Sequence, residues 1–362
     1  MAKKKKVFLW GTGVVAKRVL KSVELDDKYD VLGIIDSNSA KWGEKFFGYS
    51  ICSPEVLKKK EFDFIVVLSD AYFQISNQVE EILGNRVPIL SKNYFFEKEI
   101  EVRYRESDDS EIQRVYKNIV KNGLDVFNYD YVKKYDSIEV LLDKDEECGL
   151  YYVLHKGKKM YMKRSLNTVD EVEKYYQSLL IEQDQESPHH YLDDEFQLPE
   201  EAVIADIGAA EGIFTLENIE RIKKAYVFEC DDEWIEALTK TLEPFDDKVT
   251  IIHKYVSDCE DERRTLLDNY KECGLNFIKM DIEGAECDAL EGGKKLLCDA
   301  EDIKCAICAY HTEYDEQAIR WILQEFGLKT STTDGYMWFP YDVKDKKVST
   351  KLVRGIVRAE KR

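Results

Sequence analysis

VIADIGAAEGIFTL, Val203–Leu216, decides how the rest of the chain is read. Apolar and small residues from Val203 to Ala205 meet Asp206, then the small cluster Gly208, Ala209 and Ala210, then Glu211 and a second glycine, Gly212. The chain then turns apolar again. An apolar run closed by an acid and a glycine-rich turn predicts a buried parallel strand, a tight loop and the first turn of a helix. Glycines there let a ligand approach the backbone, and a helix N-terminus supplies free N–H groups. A nucleotide-like ligand on Asp206, Gly208, Ala209, Glu211 and Gly212 is therefore expected; the alternative is a plain strand-to-helix turn.

Downstream, strands and helices alternate at the spacing of a doubly wound sheet. Strands are predicted at Ala202–Asp206, Ala225–Phe228, Val249–His253, Asn276–Met280, Lys304–Ala309 and Val353–Ala359. Helices are predicted at Asp232–Leu242, Cys287–Cys298 and Glu316–Phe326. Acids close several strands: Asp206, Glu229 (followed by Cys230) and Asp281, with Ser257 and Asp258 just beyond the third strand. Ligands of such sheets bind at that edge. Glu229 suits the two hydroxyls of a ribose. The loop is D-x-G-x-x-x-G, it holds no lysine for phosphates, and its rim is acidic. A cationic, phosphate-free nucleoside is favoured over NAD, and S-adenosylmethionine (SAM) fits.

Together with FIKMDIEGAECDALEGG, Phe277–Gly293, this stretch strongly resembles the FkbM family of SAM-dependent O-methyltransferases. KMDIEGAE is the most specific part, and the terminal IVRAEK agrees. The likeness covers residues 200 to 362, and SPHHYL suggests that it reaches back to 150. The resemblance implies a class I, seven-stranded methyltransferase fold and methylation of a hydroxyl, often on a sugar or a glycosylated natural product.

Methyl transfer is an in-line displacement, so alignment of the acceptor oxygen is the main task. A hydroxyl also needs a base within hydrogen-bond reach. His311 ends the fifth strand at the cofactor edge, with an ordinary pKa suited to the role. Asp281 and Glu283 are its rivals, or ligands of a divalent ion that acidifies the hydroxyl. Lys279 is expected to pair with an acid or face the substrate. Glu286 is read as a substrate contact, or with Glu283 as a cap of the next helix. His189 and His190, in the loop EQDQESPHHYL, are candidate substrate contacts. Cys305 and Cys308 form a C-x-x-C, but on a strand positions three apart face opposite ways, so core packing is expected rather than a metal.

Leu150–Leu154 and Lys159–Met162 bracket Lys156-Gly157-Lys158 as a hairpin, and Val169–Leu180 reads as an amphipathic helix. Residues 150–362 are thus expected to form the methyl-transfer domain, with 150–200 as a substrate-side extension. Residues 99–149 read as a helical connector, with helices at Ile112–Asn122 and Tyr131–Leu142.

Residues 1–98 read as a second α/β, Rossmann-like unit. Lys6–Trp10 leads into Gly11, Gly13 and Ala16 as G-x-G-x-x-A, and Val31–Ile35 ends at Asp36. Phe64–Leu68 ends at Ser69. The stretch IDSNSAKWGEKFFGYSICSPEVL resembles the nucleotide-binding N-terminal domains of bacterial polysaccharide-biosynthesis enzymes. That resemblance implies a nucleotide sugar or NAD(P) held at Gly11, Gly13, Asp36 and Ser69; the alternative is a docking module with an empty site. Tyr94/Lys98 and Tyr129/Lys133 match a dehydrogenase Tyr-x-x-x-Lys spacing, as chance alone allows in so Tyr- and Lys-rich a chain.

The 362 residues carry 72 Asp+Glu against 53 Lys+Arg, a surface that repels nucleic acid. Lys3–Lys6 before VFLWGTGVVA has the start of a signal peptide, but Gly11, Gly13, Lys17 and Arg18 interrupt it, and a solvated start to a buried strand is expected. No apolar run reaches membrane-span length. The nine cysteines, odd in number and scattered, point to a reducing cytoplasm. The expected protein is a cytoplasmic sugar-hydroxyl methyltransferase of surface-polysaccharide synthesis, taking a small-molecule or glycan substrate and associating with itself or with neighbouring synthesis enzymes. The alternatives are a nucleotide-sugar oxidoreductase and a non-catalytic SAM- or nucleotide-binding protein.

Overall fold

The computed structural model describes residues 3–84, 87–340 and 348–361. Its contacts divide the chain into two compact units, Met1–Val126 with Pro340–Lys351, and Phe127–Phe339 with Leu352–Arg362. The expected connector is therefore shared out: 99–126 belongs to the first unit and 127–149 to the second.

In the first unit, β1 (Lys5–Trp10), α1 (Val14–Ser22), β2 (Tyr29–Ile35), β3 (Lys45–Phe46), β4 (Tyr49–Cys52), β5 (Phe64–Val67), α2 (Tyr72–Leu83) and β6 (Ile89–Leu90) alternate along the chain. The strands form a six-stranded sheet in the order β3-β4-β2-β1-β5-β6, parallel except for the β3–β4 pair. Val7–Trp10 and Phe64–Val67 are buried, as the centre of a parallel sheet requires. Gly11 turns the chain out of β1 at φ +115°, where a Cβ would lie 2.9 Å from the Leu68 carbonyl oxygen, so only glycine fits. Ser53 caps the short turn of 3₁₀-helix Pro54–Lys58 by accepting the Glu55 N–H. The helices α3 (Tyr94–Tyr104) and α4 (Ser110–Asn122) pack on each other; Asp109 caps α4 and Gly123 ends it.

The second unit starts with a three-stranded antiparallel sheet, β7 (Leu142–Lys144), β8 (Tyr151–His155) and β9 (Lys158–Tyr161). The helix expected over Tyr131–Leu142 is only a 3₁₀ segment, Asp130–Tyr135, because Leu142 pairs with Val153 in the sheet. Next, α5 (Val169–Glu182) opens on a full capping box made by Thr168 and Glu171.

The main sheet follows. Its elements are β10 (Ala202–Ile207), α6 (Ile213–Asn218), β11 (Ile222–Glu229), α7 (Asp232–Leu242), β12 (Val249–His253), the small pair β13 (Tyr255–Val256) and β14 (Arg264–Thr265), β15 (Phe277–Met280), α8 (Glu286–Glu291), α9 (Lys294–Asp299), β16 (Ile303–Cys308), α10 (Asp315–Glu325), β17 (Lys329–Thr332), β18 (Met337–Trp338), β19 (Leu352–Val353) and β20 (Ile356–Lys361). Seven strands lie in the order β12-β11-β10-β15-β16-β20-β17, with β20 alone antiparallel. This is the doubly wound class I methyltransferase arrangement.

Alternate residues supply two cores. Ile204, Phe277, Ala306 and Cys308 face one layer, and Ala205, Ile207, Ile278, Cys305 and Ile307 the other. Cys305 and Cys308 thus face opposite sides of the sheet, as period two demands. The helix expected over Cys287–Cys298 is two helices, broken at Gly292–Gly293. A Cβ on Gly292 would fall 2.0 Å from the Ser257 carbonyl oxygen, so the chain turns where that strand end passes. Among the described residues no helix is long and apolar enough to cross a membrane.

Candidate active site

The carboxyl ends of β10, β11 and β15 frame a cavity of about 650 Å³ in the second unit. Its floor is the turn after β10. Gly208, at φ +74°, comes so close to β15 that a Cβ would sit 1.8 Å from the Asp281 carbonyl oxygen. Gly212, at φ +84°, starts α6, and a Cβ there would meet Leu238. Of the residues expected to bind a cofactor, Gly208, Ala209, Glu211, Glu229, Cys230 and Asp281 line this cavity. Four others are placed elsewhere. Asp206 is fully buried behind the loop, and Gly212 sits under α7. Ser257 bonds Thr265 through its N–H and turns its carbonyl to Gly292, so Tyr255 and Val256 form the wall where Ser257 and Asp258 were expected.

Asp206 acts through its neighbours. Lys279 Nζ lies 3.2 Å from Asp206 Oδ1 and donates to the Gly208 carbonyl oxygen at 2.6 Å; Thr215 donates to Asp206 Oδ2 at 2.7 Å. The buried ion pair therefore ties the glycine turn to β15. Burial alone would lower the Lys279 pKa, but Asp206 and Asp281 raise it above its ordinary value. Glu229 works similarly, accepting N–H bonds from Ala210, Cys230 and Asp231 at 2.7–2.9 Å.

Three acids face the cavity, two of them, Glu211 and Glu182, without a basic partner in contact among the described residues. Glu211 points inward and accepts from the Tyr175 hydroxyl at 2.7 Å; burial raises its pKa. Glu182, at the end of α5, is pushed up to about 8 by burial and by Asp281, Glu211 and Glu283. Glu283, in the left-handed region at φ +56°, stands at the rim with its side chain 83 % exposed, and partial burial raises its carboxyl.

His311 does not line the cavity. It is fully buried, with Nε2 3.4 Å from Asp281 Oδ1 and 3.8 Å from Glu283 Oε2, and Nδ1 3.3 Å from Glu286 Oε1. Burial would lower its pKa, but Asp281 and Glu286 outweigh that and raise it to about 10. The structure thus sets the His311 expected as a base behind Asp281 and away from the cavity, where its raised pKa favours the charged imidazolium over a proton acceptor. Burial acts to raise the Asp281 carboxyl, yet His311, His189 and Lys279 hold it well below the usual range. Glu286 is buried too; it accepts from the Ile282 N–H at 2.9 Å and does not line the cavity.

The histidines of the SPHHYL segment are not loop contacts. His189 is 3 % exposed, enclosed by Phe127, Tyr191 and Tyr310, and burial lowers its pKa to about 4. His190 is half-buried, and its carbonyl accepts from Arg358. Neither lines the cavity, whose aromatic wall is Tyr175, Tyr191, Trp234, Tyr310 and Phe339. The aromatic face of α5 was the sequence signal for Tyr175; Tyr191 was hidden beside the more conspicuous histidines.

Two groups of metal-binding residue types converge among the described residues: His189, Asp281 and Cys308, and Asp281, Glu286 and His311. Glu283, expected as a metal partner of Asp281, is in neither.

In the first unit, Gly11, Gly13, Asp36 and Ser69 share the carboxyl edge of the sheet. Asp36 is already engaged: Thr12 donates to its carboxylate, Lys41 lies at 3.2 Å, and the Asn38 N–H donates at 2.8 Å. Ser69 accepts from the Ala71 N–H. A cavity of about 410 Å³ in this unit lies at the opposite edge, among Lys4, Lys6, Asp26, Tyr29 and Asp30.

The sheet order and the acid-lined cavity define the second unit as a class I methyltransferase fold. Comparison with known proteins agrees: residues 261–329 match the family model of the methyltransferase FkbM domain, and residues 3–90 that of the C2185-like N-terminal domain. The C-terminal region thus carries a methyltransferase FkbM domain, and the N-terminal region a C2185-like domain. Among solved structures, methyltransferase FkbM from Methylobacillus flagellatus is similar at 14 % identity and TM-score 0.45, over 99 % of this chain and 90 % of that one. A SAM-dependent methyltransferase from Aquifex aeolicus is similar at 16 % identity and TM-score 0.35, over 53 % and 96 %. A putative methyltransferase from Streptococcus mutans, solved with SAH, is similar at 14 % identity and TM-score 0.31, over 46 % and 91 %. No curated protein matches the chain.

Proposed function

We propose that the protein is a SAM-dependent O-methyltransferase acting on a sugar hydroxyl, in the synthesis of a surface polysaccharide. The observation that carries the reading is the charge of the cavity. Glu182, Glu211, Glu229, Asp231, Asp281 and Glu283 line it against Lys163, Lys254 and Lys279, and Lys279 is already paired with Asp206. Such a site suits a cation and repels a pyrophosphate. SAM, when bound, supplies an electrophilic methyl group on a sulfonium. Gly208–Glu211 and Glu229 would hold its nucleoside, and the inward Glu211 would face its positive end.

The acceptor then lies toward Asp281, Tyr310 and Glu283. Asp281, held ionised by His311, orients the hydroxyl. Glu283, accessible and with its carboxyl raised, takes the proton. Methylation at oxygen and the sugar acceptor rest on the resemblance of KMDIEGAE to the FkbM enzymes. By the same resemblance, the first unit would hold a nucleotide sugar or dock a partner of the synthesis machinery through the edge bearing Gly11, Gly13, Asp36 and Ser69. Titration calorimetry with SAM and SAH tests the cofactor. Binding of SAH by the full chain, weakened at least tenfold in Glu229→Ala, is expected; no binding of either compound would overturn the reading. Mass spectrometry of the host polysaccharide with and without the gene tests the acceptor through the loss of one methyl group.

A further inference from the structure

At the edge of the cavity, five side chains from three separate segments converge on one point. His189 Nε2 lies 3.6 Å from Cys308 Sγ, 3.8 Å from Asp281 Oδ2 and 3.2 Å from the Tyr310 hydroxyl. The Tyr191 hydroxyl lies 3.3 Å from Asp281 Oδ2 and 3.7 Å from Cys308 Sγ. Ligands on a tetrahedral ion with bonds of about 2.0–2.3 Å stand about 3.3–3.7 Å apart. The His189–Cys308 separation falls in that range, the His189–Asp281 separation lies 0.1 Å above it, and the His, Asp and Cys donors all lie within 4.8 Å of one another. We propose that His189 Nε2, Cys308 Sγ and Asp281 Oδ2 bind a divalent transition-metal ion of the zinc class, its fourth position turned to the cavity between Tyr191 and Tyr310.

The donor set selects the ion. A thiolate, an imidazole and one carboxylate oxygen suit zinc or cobalt rather than magnesium or calcium, which take oxygen ligands. The surroundings leave the charge for it. Lys279 is paired with Asp206, and Glu286 faces the far nitrogen of His311, so Asp281 brings one ionised carboxylate to the site and Cys308 becomes the second negative donor once the ion displaces its proton. His311 holds only Oδ1 of Asp281 and leaves Oδ2 to the ion. Three protein ligands with one position facing a cavity is the pattern of a catalytic rather than a structural site. If the methyltransferase reading above holds, the acceptor hydroxyl would occupy that position and be acidified there; the binding of metal does not depend on that reading. On binding, the ion replaces the thiol proton of Cys308, which leaves to solvent; Asp281 and a neutral His189 release none, so one proton is set free per ion.

Cobalt(II) added to the metal-stripped full chain tests this. One equivalent is expected to bind with a thiolate-to-cobalt absorption band, and calorimetry in buffers of different ionisation enthalpy should read one proton released. Cys308→Ser should abolish the band, His189→Gln should weaken binding at least tenfold, and Cys298→Ser, on the surface, should change neither. Circular dichroism and SAH binding confirm that the variants fold. A folded chain that binds no cobalt, or that keeps the band in Cys308→Ser, overturns the metal site. SAH binding by that same chain would leave the methyltransferase reading intact.

Discussion

Replacing Lys279 by Met asks whether the Asp206–Lys279 pair holds the glycine turn. Methionine nearly matches lysine in volume, so the core loses little packing. What changes is charge: Asp206, fully buried, keeps the Thr215 hydroxyl but loses its cation at 3.2 Å, and the Gly208 carbonyl loses its 2.6 Å donor. Removing one partner of a buried pair costs about 3–5 kcal/mol, because the stranded charge stays buried. The lost charged hydrogen bond is worth about 1.5–3 kcal/mol and overlaps with that figure. A net loss of about 4 kcal/mol follows, roughly a thousandfold in the local folding equilibrium at 1.4 kcal/mol per decade. In Asp206→Asn/Lys279→Met the stranded charge is gone, so the double variant should recover most of the loss and keep a deficit of about 1 kcal/mol from Gly208. Hydrogen exchange of the β10 and β15 amides in rising urea measures this in the strands concerned. A single variant that costs under about 1 kcal/mol, or a double variant as unstable as the single, would refute the reasoning.

Gly208→Ala should cost at least about 3 kcal/mol and cut SAH affinity a hundredfold, since its Cβ meets backbone; Gly212→Ala meets only the tip of Leu238 and should cost about 1–2 kcal/mol. Equal costs in urea unfolding would contradict this. Because His311 is raised in the folded state, its contribution is fully present below about pH 6.5 and is lost as pH rises through about 10. His311→Asn should therefore lower stability at pH 7 and flatten the pH profile over that window; an unchanged profile would refute the pairing with Asp281 and Glu286. Glu182, raised to about 8, holds a proton at pH 7 that a cationic ligand displaces, so SAM binding should release a fraction of a proton in wild type and clearly less in Glu182→Gln. Equal proton release in both would show that the ligand's charge lies elsewhere.

The strand-turn-helix at Val203–Leu216 was legible because its signals are local: apolar run, acid, two glycines. The acids at the ends of β11 and β15 were legible by the same rule. Roles that depend on which way a side chain turns were not. Asp206 and Asp281 both close parallel strands, yet Asp206 faces inward onto Lys279 while Asp281 faces the cavity. His311 looked like a base because it ends β16 at the ligand edge; that it is ringed by Asp281, Glu283 and Glu286 depends on the turn Asp281–Glu286 folding back over it, which no spacing states. The break at Gly292–Gly293 likewise comes from Ser257, distant in sequence.

Glu211 shows what the local reading left open and the fold closes. A Glu211 carboxylate pointing outward would be one more acid on a strongly acidic surface. Pointing inward, it meets the Tyr175 hydroxyl from α5, and its burial raises the cost of ionisation. With Glu182 on the same helix, two carboxyls of raised pKa then face the space expected for the sulfonium. A cation entering there would gain from ionising them, so on the proposed reading Glu211 and Glu182 strengthen the site's preference for charge. The helix that supplies Tyr175 and Glu182 lies before the glycine loop in the chain, so on the proposed reading the substrate-side extension would belong to the cofactor site as well.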